Sequence, residues 1–465
     1  MRPIWAVARN LITEVLRMRA LLIFSVCVLA LCTVGFAFWL HTTDGRADQE
    51  TQTFLSYSLS FSWHYLAFFT IFTSIATISR DIKRKEIYTV ATKPISRAGV
   101  LLGKFLGMAL LNLVLLALVG GTIYAAARIL QRTEPTTQDE RLRMAELVFT
   151  ARHAVTPPLP DVAEQVHQQI EKDIKAERTR AREQGADLDA QTIRNMRFAL
   201  KHDYTKQFIL RQRTVPPGQH IIWHFANVKP AQDASDLVFI RYKQDVSITP
   251  RDLTIAGQWA FGPDPDVIHT GTHLTTHNSI RTVHEFAVPT SAVSDQGDLY
   301  VAYRNPPANA PTTIVFPPKG KREIGIQALY VATSFEANYL RTLLAMYLRL
   351  LFLAVLGTAL GAWLSFPVAV LVLLIIFVFG LSSNFILDAV KWSAGDLLRT
   401  FARAIVLVLP EFAAYDPVPQ IEKGRIVSDQ LLFNASVFML GIKGSLAALF
   451  GYAVFRIREL ARVIV

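Results

Sequence analysis

Val100–Ala127 reads VLLGKFLGMALLNLVLLALVGGTIYAAA, and Lys104 is its only charged residue. A hydrocarbon core of roughly 30 Å needs about 20 apolar residues as helix, and this run exceeds that. Five further runs meet or approach the same criterion: Leu21–Leu40, Tyr57–Ile78, Leu340–Leu364, Pro367–Ile386 and Ser436–Phe455. Only Ser365 and Phe366 separate the fourth from the fifth, so their turn is tight. The expected membrane part is therefore six transmembrane helices in two blocks, 1–130 and 338–465.

Composition agrees. The chain has 465 residues, 51% hydrophobic and 18% charged, with a net charge of +11 and a mean hydropathy of +0.30. A soluble chain of this length carries more charge. Many basic residues flank apolar runs, which favours a membrane surface over nucleic acid as the partner. Zinc-finger spacing, a recognition helix and an aromatic RNA-binding signature are all missing from the sequence. Both cysteines, Cys27 and Cys32, sit inside the first apolar run and cannot staple an outer loop.

Basic residues near span ends set orientation. Arg80, Lys83, Arg84, Lys85, Lys93, Arg97 and Lys104 crowd the loop after the second run, and Arg456, Arg458 and Arg462 follow the sixth. Arg2, Arg9, Arg17 and Arg19 precede the first run, which reads as an uncleaved anchor with a basic amphipathic helix in front. These three regions are expected in the cytoplasm and 131–337 outside it, across the cell's inner (cytoplasmic) membrane.

The outer segment changes character along its length. In 131–215 the pattern is helical: Pro160-Asp161 opens a helix, Val162 to Ile174 carries apolar residues at helical spacing, and Gly185 breaks it. In 216–330 short apolar runs such as His220–Phe225, Leu237–Tyr242, Leu299–Tyr303 and Thr313–Phe316 alternate with turn residues. That spacing predicts a β-sandwich within an inserted extracytoplasmic α+β domain. Between the fifth and sixth runs, 388–430 holds an amphipathic stretch, Leu397–Leu409, stopped by Pro410. It is too short to span and reads as a re-entrant or interfacial helix.

The loop after the second run contains Lys93-Pro94-Ile95-Ser96-Arg97, then Gly103-Lys104 opening the third run. This resembles the coupling segment of ABC-2 type permeases, nearest the branch that includes permeases for copper-enzyme maturation. Lys85-Glu86 stands where many relatives have Gly-Thr. A second stretch, Leu409-Pro-Glu-Phe-Ala-Ala-Tyr-Asp416 followed by Gly424 and Ser428, is similar to the family's segment before the last span. The likeness covers both membrane blocks, over half the chain. It implies a permease subunit that exports or flips a substrate, driven by a separate ABC ATPase carrying ATP and Mg. It also implies a second permease copy or paralogue. Asp81, Arg84 and Glu86 are then placed to pair with the ATPase, and Ile82, Ile87 and Tyr88 to seat in its groove. Lys93, Pro94, Arg97 and Lys104 complete the coupling set.

The residues agree that any ATPase is another chain. Gly99 to Gly103-Lys104 has the wrong spacing for a phosphate loop and no following Ser or Thr. Nucleophile elbow, HExxH motif and dinucleotide loop are absent from the sequence, so no catalytic residue and no cofactor is assigned. Arg349 and Lys443 lie inside apolar runs, where charge is costly and faces a cavity or a partner. They are the candidate pathway residues, against the plainer readings of snorkelling for Arg349 and subunit-interface pairing for Lys443. His64 reads as a satisfied interhelical polar group. His269, His273 and His277 share a face if their segment is extended. Imidazoles suit copper or zinc, but no carboxylate or Cys spacing closes a site, and an exposed Thr- and Gly-rich strand explains them, so no metal is expected.

Two functional classes follow. One is the ABC-2 permease, with membrane lipids around it; glycan, lipid, peptide and metal-linked cargo all fit. The other is a non-transporting mechanotransmission or scaffold protein whose outer domain binds a periplasmic partner or a glycan. A closed, Leu- and Phe-packed interface between spans one, two and five favours the second.

Overall fold

The computed structural model describes residues 2–17, 46–83, 96–133, 135, 137–185, 188–230, 236–317, 325–383, 385–386 and 410–457. The expected first span, the coupling core from Arg84 to Ile95 and the stretch Leu397–Leu409 lie outside them. The chain divides into two compact units, Met1–Ala151 with Ser334–Val465, and Arg152–Thr333.

In chain order the described helices are α1 (Arg2–Arg17), α2 (Ala47–Lys83), α3 (Arg97–Thr133), α4 (Gln138–Leu147), α5 (Ala163–Glu183), α6 (Ala190–Gln212), α7 (Val267–Thr270), α8 (Phe335–Trp363), α9 (Phe366–Leu381), α10 (Val418–Glu422) and α11 (Asp429–Ile457). Four of them, α2, α3, α8 and α11, are long and apolar enough to cross a membrane. The chain is thus a membrane protein with a separate, sheet-rich inserted unit.

The expected six spans become four among the described residues. The first run falls outside them, and the fifth folds as α9, only 16 residues, or about 24 Å long. The other runs sit inside longer helices. At 37 residues each, α2 and α3 reach ~55 Å and overhang a ~30 Å core. Ser334 caps α8, accepting from Ala337 N, and Ser428 caps α11, accepting from Leu431 N. Pro367 opens α9 just after Ser365, which fixes the tight α8–α9 turn.

Lipid gives helices no hydrophobic reason to associate, so close packing at small residues has to supply it. A Cβ at Gly103 would lie 2.6 Å from Val7 Cβ, and one at Gly107 would lie 2.9 Å from the Ala8 carbonyl oxygen. These glycines, four apart on α3, form the seat for α1, which buries Ala8, Leu11 and Val15. Gly357 and Gly361 on α8 repeat the device against Ser74 and Ile75 of α2, and Gly451 of α11 meets Ala359. Polar groups tie α3 to α8 and to α2. Tyr339 Oη donates to the Gly120 carbonyl at 2.7 Å, and Thr70 donates to Asn112 Oδ1 at 3.0 Å.

The inserted unit starts with β1 (Ala151–Val155) and the helical hairpin α5–α6. Val162, Val166, Ile170 and Ile174, spaced by four, form the hairpin's own core with Ile193. Gly185, at φ +74°, ends α5 as the sequence predicts, and Asp189 caps α6. The remaining strands are β2 (Thr214–Val215), β3 (His220–Phe225), β4 (Leu237–Lys243), β5 (Asp245–Val246), β6 (Thr254–Gly262), β7 (Thr272–Ser279), β8 (Val283–Pro289), β9 (Leu299–Arg304), β10 (Ile314–Val315) and β11 (Gln327–Thr333). Two four-stranded sheets, ordered β1-β11-β4-β8 and β3-β9-β6-β7, share one core, as in a sandwich. Trp259 sits at its centre, within 5 Å of the Tyr242 and Tyr303 rings. Burial holds both phenols above the ordinary tyrosine range, so they stay neutral.

If the glycine seat holds α1, Gly103→Leu lowers the thermal midpoint of the detergent-solubilised chain, at an overpacking cost of about 1–3 kcal/mol. Gly121→Leu, where a Cβ meets nothing within 4 Å, leaves the midpoint unchanged.

Candidate functional site

The guanidinium of Arg349 is carried near the middle of α8, and its side chain is 2% exposed. A charge at that depth needs internal partners. Its Cζ lies 3.5 Å from the centroid of the Trp63 ring on α2, and Nη1 donates to Asp416 Oδ1 at 3.0 Å. The first contact is a desolvated cation–π pair and the second a charge-assisted hydrogen bond. Nε has no hydrogen-bond partner among the described residues. Arg349 therefore does not snorkel.

Trp63 is held in turn by Phe377 of α9, at 5.7 Å, and by Phe412, at 6.1 Å. Phe412 also meets Phe352 of α8, and Gly380 leaves room for it: a Cβ there would lie 2.6 Å from the Pro410 carbonyl oxygen. His64 points its Nδ1 at the Ser60 carbonyl of its own helix, 2.7 Å away, so among the described residues its hydrogen bond lies within α2 and not between helices.

Lys443 sits in a π-helical stretch of α11, Ala435–Gly444, and its Nζ is 3.6 Å from Glu411. Stretches of this kind recur at functional sites. Among the described residues its counter-ion comes from its own chain. One short segment, Pro410 to Asp416, thus supplies a carboxylate to each of Arg349 and Lys443, with Phe412 between the two acids in sequence. The segment is tied down beyond Asp416. Ser56 donates to Glu422 at 2.9 Å. Asn338 of α8 accepts from Val427 N at 2.8 Å and donates to the Arg425 carbonyl at 2.9 Å.

At one end of the bundle the termini of four helices gather. Asp81, near the end of α2, lies 2.7 Å from the buried Lys104 ammonium near the start of α3. Arg97, opening α3, donates to the Phe455 and Arg456 carbonyls at 3.1 and 2.6 Å, filling acceptors left open at the end of α11. Ile78, Ala362 and Phe455 form a small core there, with Ile82 and Leu101 against it. Arg80 reaches Glu14 of α1 at 3.2 Å. Asp81, Ile82, Arg97 and Lys104 thus make contacts inside the unit; Asp81 pairs with Lys104. Arg84, Glu86, Ile87, Tyr88, Lys93 and Pro94 lie outside the described residues.

The histidine trio is split. His269 belongs to α7, while His273 and His277 point outward from β7, beyond Gly271. Among the described residues no group of three or more His, Cys, Asp or Glu side chains could hold a metal. A cavity of about 620 Å³ lies in the inserted unit, floored by Val162, Val166, Ile170 and Ile209 and rimmed by Arg197 and Lys201. Sequence reasoning missed the Trp63–Arg349 contact and the two acids of 410–416; the LPEFAAYD stretch was their only signal. No protein-family model, curated protein or solved structure matches the chain.

Removing one partner of a buried pair leaves the other charge stranded. Asp416→Ala is expected to cost about 3 kcal/mol of stability. Adding Arg349→Met to it recovers much of that loss. Thermal unfolding of the two single variants and the double variant checks the coupling.

Proposed function

We propose that this chain is the membrane-spanning permease subunit of an ABC-2 type export system. A separate ATPase supplies the work. The observation that carries the proposal is the gathered end of the bundle. The residues from Arg84 to Ile95, which resemble a coupling segment, leave from α2 just after Asp81 and return to α3 just before Arg97. The Asp81–Lys104 pair ties those two helices at that point, and Arg97 adds α11. A push delivered there enters the helices instead of being lost in a slack loop. The charge rule puts this end in the cytoplasm, where ATP is, and Arg152–Thr333 outside. On this reading α9 and the run Leu21–Leu40, which lies outside the described residues, bring the spans to six, and two permease copies form the path.

A specific observation supports a second reading. The space between α2 and α9 is filled by Trp63, Phe377 and Phe412. Such a closed aromatic interface suits a machine that transmits movement without passing cargo.

The deciding experiment is recovery of the solubilised chain from its own cells, beside an Arg84→Glu, Glu86→Arg double variant. An ATP-binding subunit comes with the wild type and is lost with the variant. Absence of such a subunit from both samples contradicts the proposal. In the recovered complex, Lys104→Met keeps the subunit bound but lowers ATP turnover by about tenfold, as expected for a lost buried pair.

A further inference from the structure

α1 shows a second face that its docking on α3 leaves uncovered. Ala8, Leu11 and Val15 are buried, whereas Trp5 is 58% and Leu16 49% exposed. Trp5, Arg9, Ile12 and Leu16 recur at i, i+4, i+7 and i+11, so they form one stripe, and Thr13 and Arg17 continue it from Arg9 in steps of four. Arg9 and Arg17 are exposed and have no acidic partner among the described residues. The helix's one acid, Glu14, is neutralised by Arg80.

The depth of this stripe follows from the glycine seat. The apolar run of α3 begins at Val100, and α1 crosses α3 at Gly103 and Gly107, one to two turns inside it. Glu14 meets Arg80 just past Ile78, where the apolar part of α2 ends. Both fixes place α1 at the boundary between acyl chains and headgroups. An exposed tryptophan between arginines suits that layer: the indole ring sits at headgroup level and the guanidinium forks bind phosphates.

We propose that the Trp5–Arg9–Leu16 stripe, with Arg17, is a docking surface for anionic phospholipid headgroups in the leaflet where α1 lies. Arg9 and Arg17 read the charge and Trp5 and Leu16 hold the helix in the layer. The inference needs membrane residence only, and stands whether or not an ATPase partner exists.

The test is hydrogen exchange of the α1 amides in the full chain, held in nanodiscs of phosphatidylcholine or of an equal phosphatidylcholine–phosphatidylglycerol mixture. Wild-type α1 exchanges more slowly in the mixture, by about fivefold for each arginine engaged. An Arg9→Gln, Arg17→Gln variant exchanges at one rate in both discs. Trp5→Ala exchanges faster than wild type in both. Equal wild-type rates in the two lipids, a slowdown that survives in the double variant, or no effect of Trp5→Ala overturns the proposal. Exchange across α8 stays the same in every sample, so a change in α1 is separable from general unfolding.

Discussion

The burial of the Arg349 guanidinium is the constraint around which the described part of the membrane unit packs. A charge inside a bilayer must find its counter-charge and its hydrogen bonds within the protein. Here the solution recruits three separate stretches: α8 carries the cation, α2 offers the Trp63 face, and the segment before α11 brings Asp416. Once those are fixed, Phe377 and Phe412 have one place to pack, and Gly380 must be small. A buried ion pair is weak support for stability by itself, since hydrophobic residues of the same volume often do as well. Its retention at this depth argues for registry: the pair specifies where 410–416 must lie. Lys443 and Glu411 apply the same rule to the neighbouring helix.

The apolar runs were legible because lipid imposes a length and a composition on them. The run at 100–127 lies within α3, that at 340–364 lies within α8 up to Trp363, and the amphipathic start folds as α1. The α5 helix was legible from the spacing of Val162, Val166, Ile170 and Ile174, and the sandwich strands from alternating runs between turn residues. Partner choice was not legible. Nothing in the spacing of Arg349 points to Asp416, 67 residues away, because non-local ion pairs leave no periodic trace. Helix ends beyond the apolar runs were also invisible, since the polar overhangs of α2 and α3 continue as helix without a hydrophobic signal. The glycine seats follow a small-residue spacing that can be read in a sequence, but which helix occupies each seat needs the structure.

The gathered helix ends give the account its mechanical content. Buried pairs such as Asp81–Lys104 have few alternative arrangements, so they pass displacement on rather than absorb it. At the opposite end α8 is anchored differently, through the Asn338 amide and the Arg128–Glu336 ion pair. Between the two lies the Arg349 cluster, which joins α2, α8 and the 410–416 segment. A permease and a mechanotransmitter both need such a transmission path; they differ in whether the aromatic packing around Trp63 opens.

The proposed function has the gathered end facing the cytoplasm and Arg152–Thr333 across the membrane from it. The direct measurement is labelling of single cysteines by a membrane-impermeant maleimide, in a chain with Cys27 and Cys32 replaced by serine. The exposed positions Ser96 and Thr275 report the two sides. The account predicts that Thr275→Cys is labelled in intact cells with the outer barrier opened, and Ser96→Cys only after the membrane is broken. Labelling of Ser96→Cys in intact cells, with Thr275→Cys protected, would contradict it.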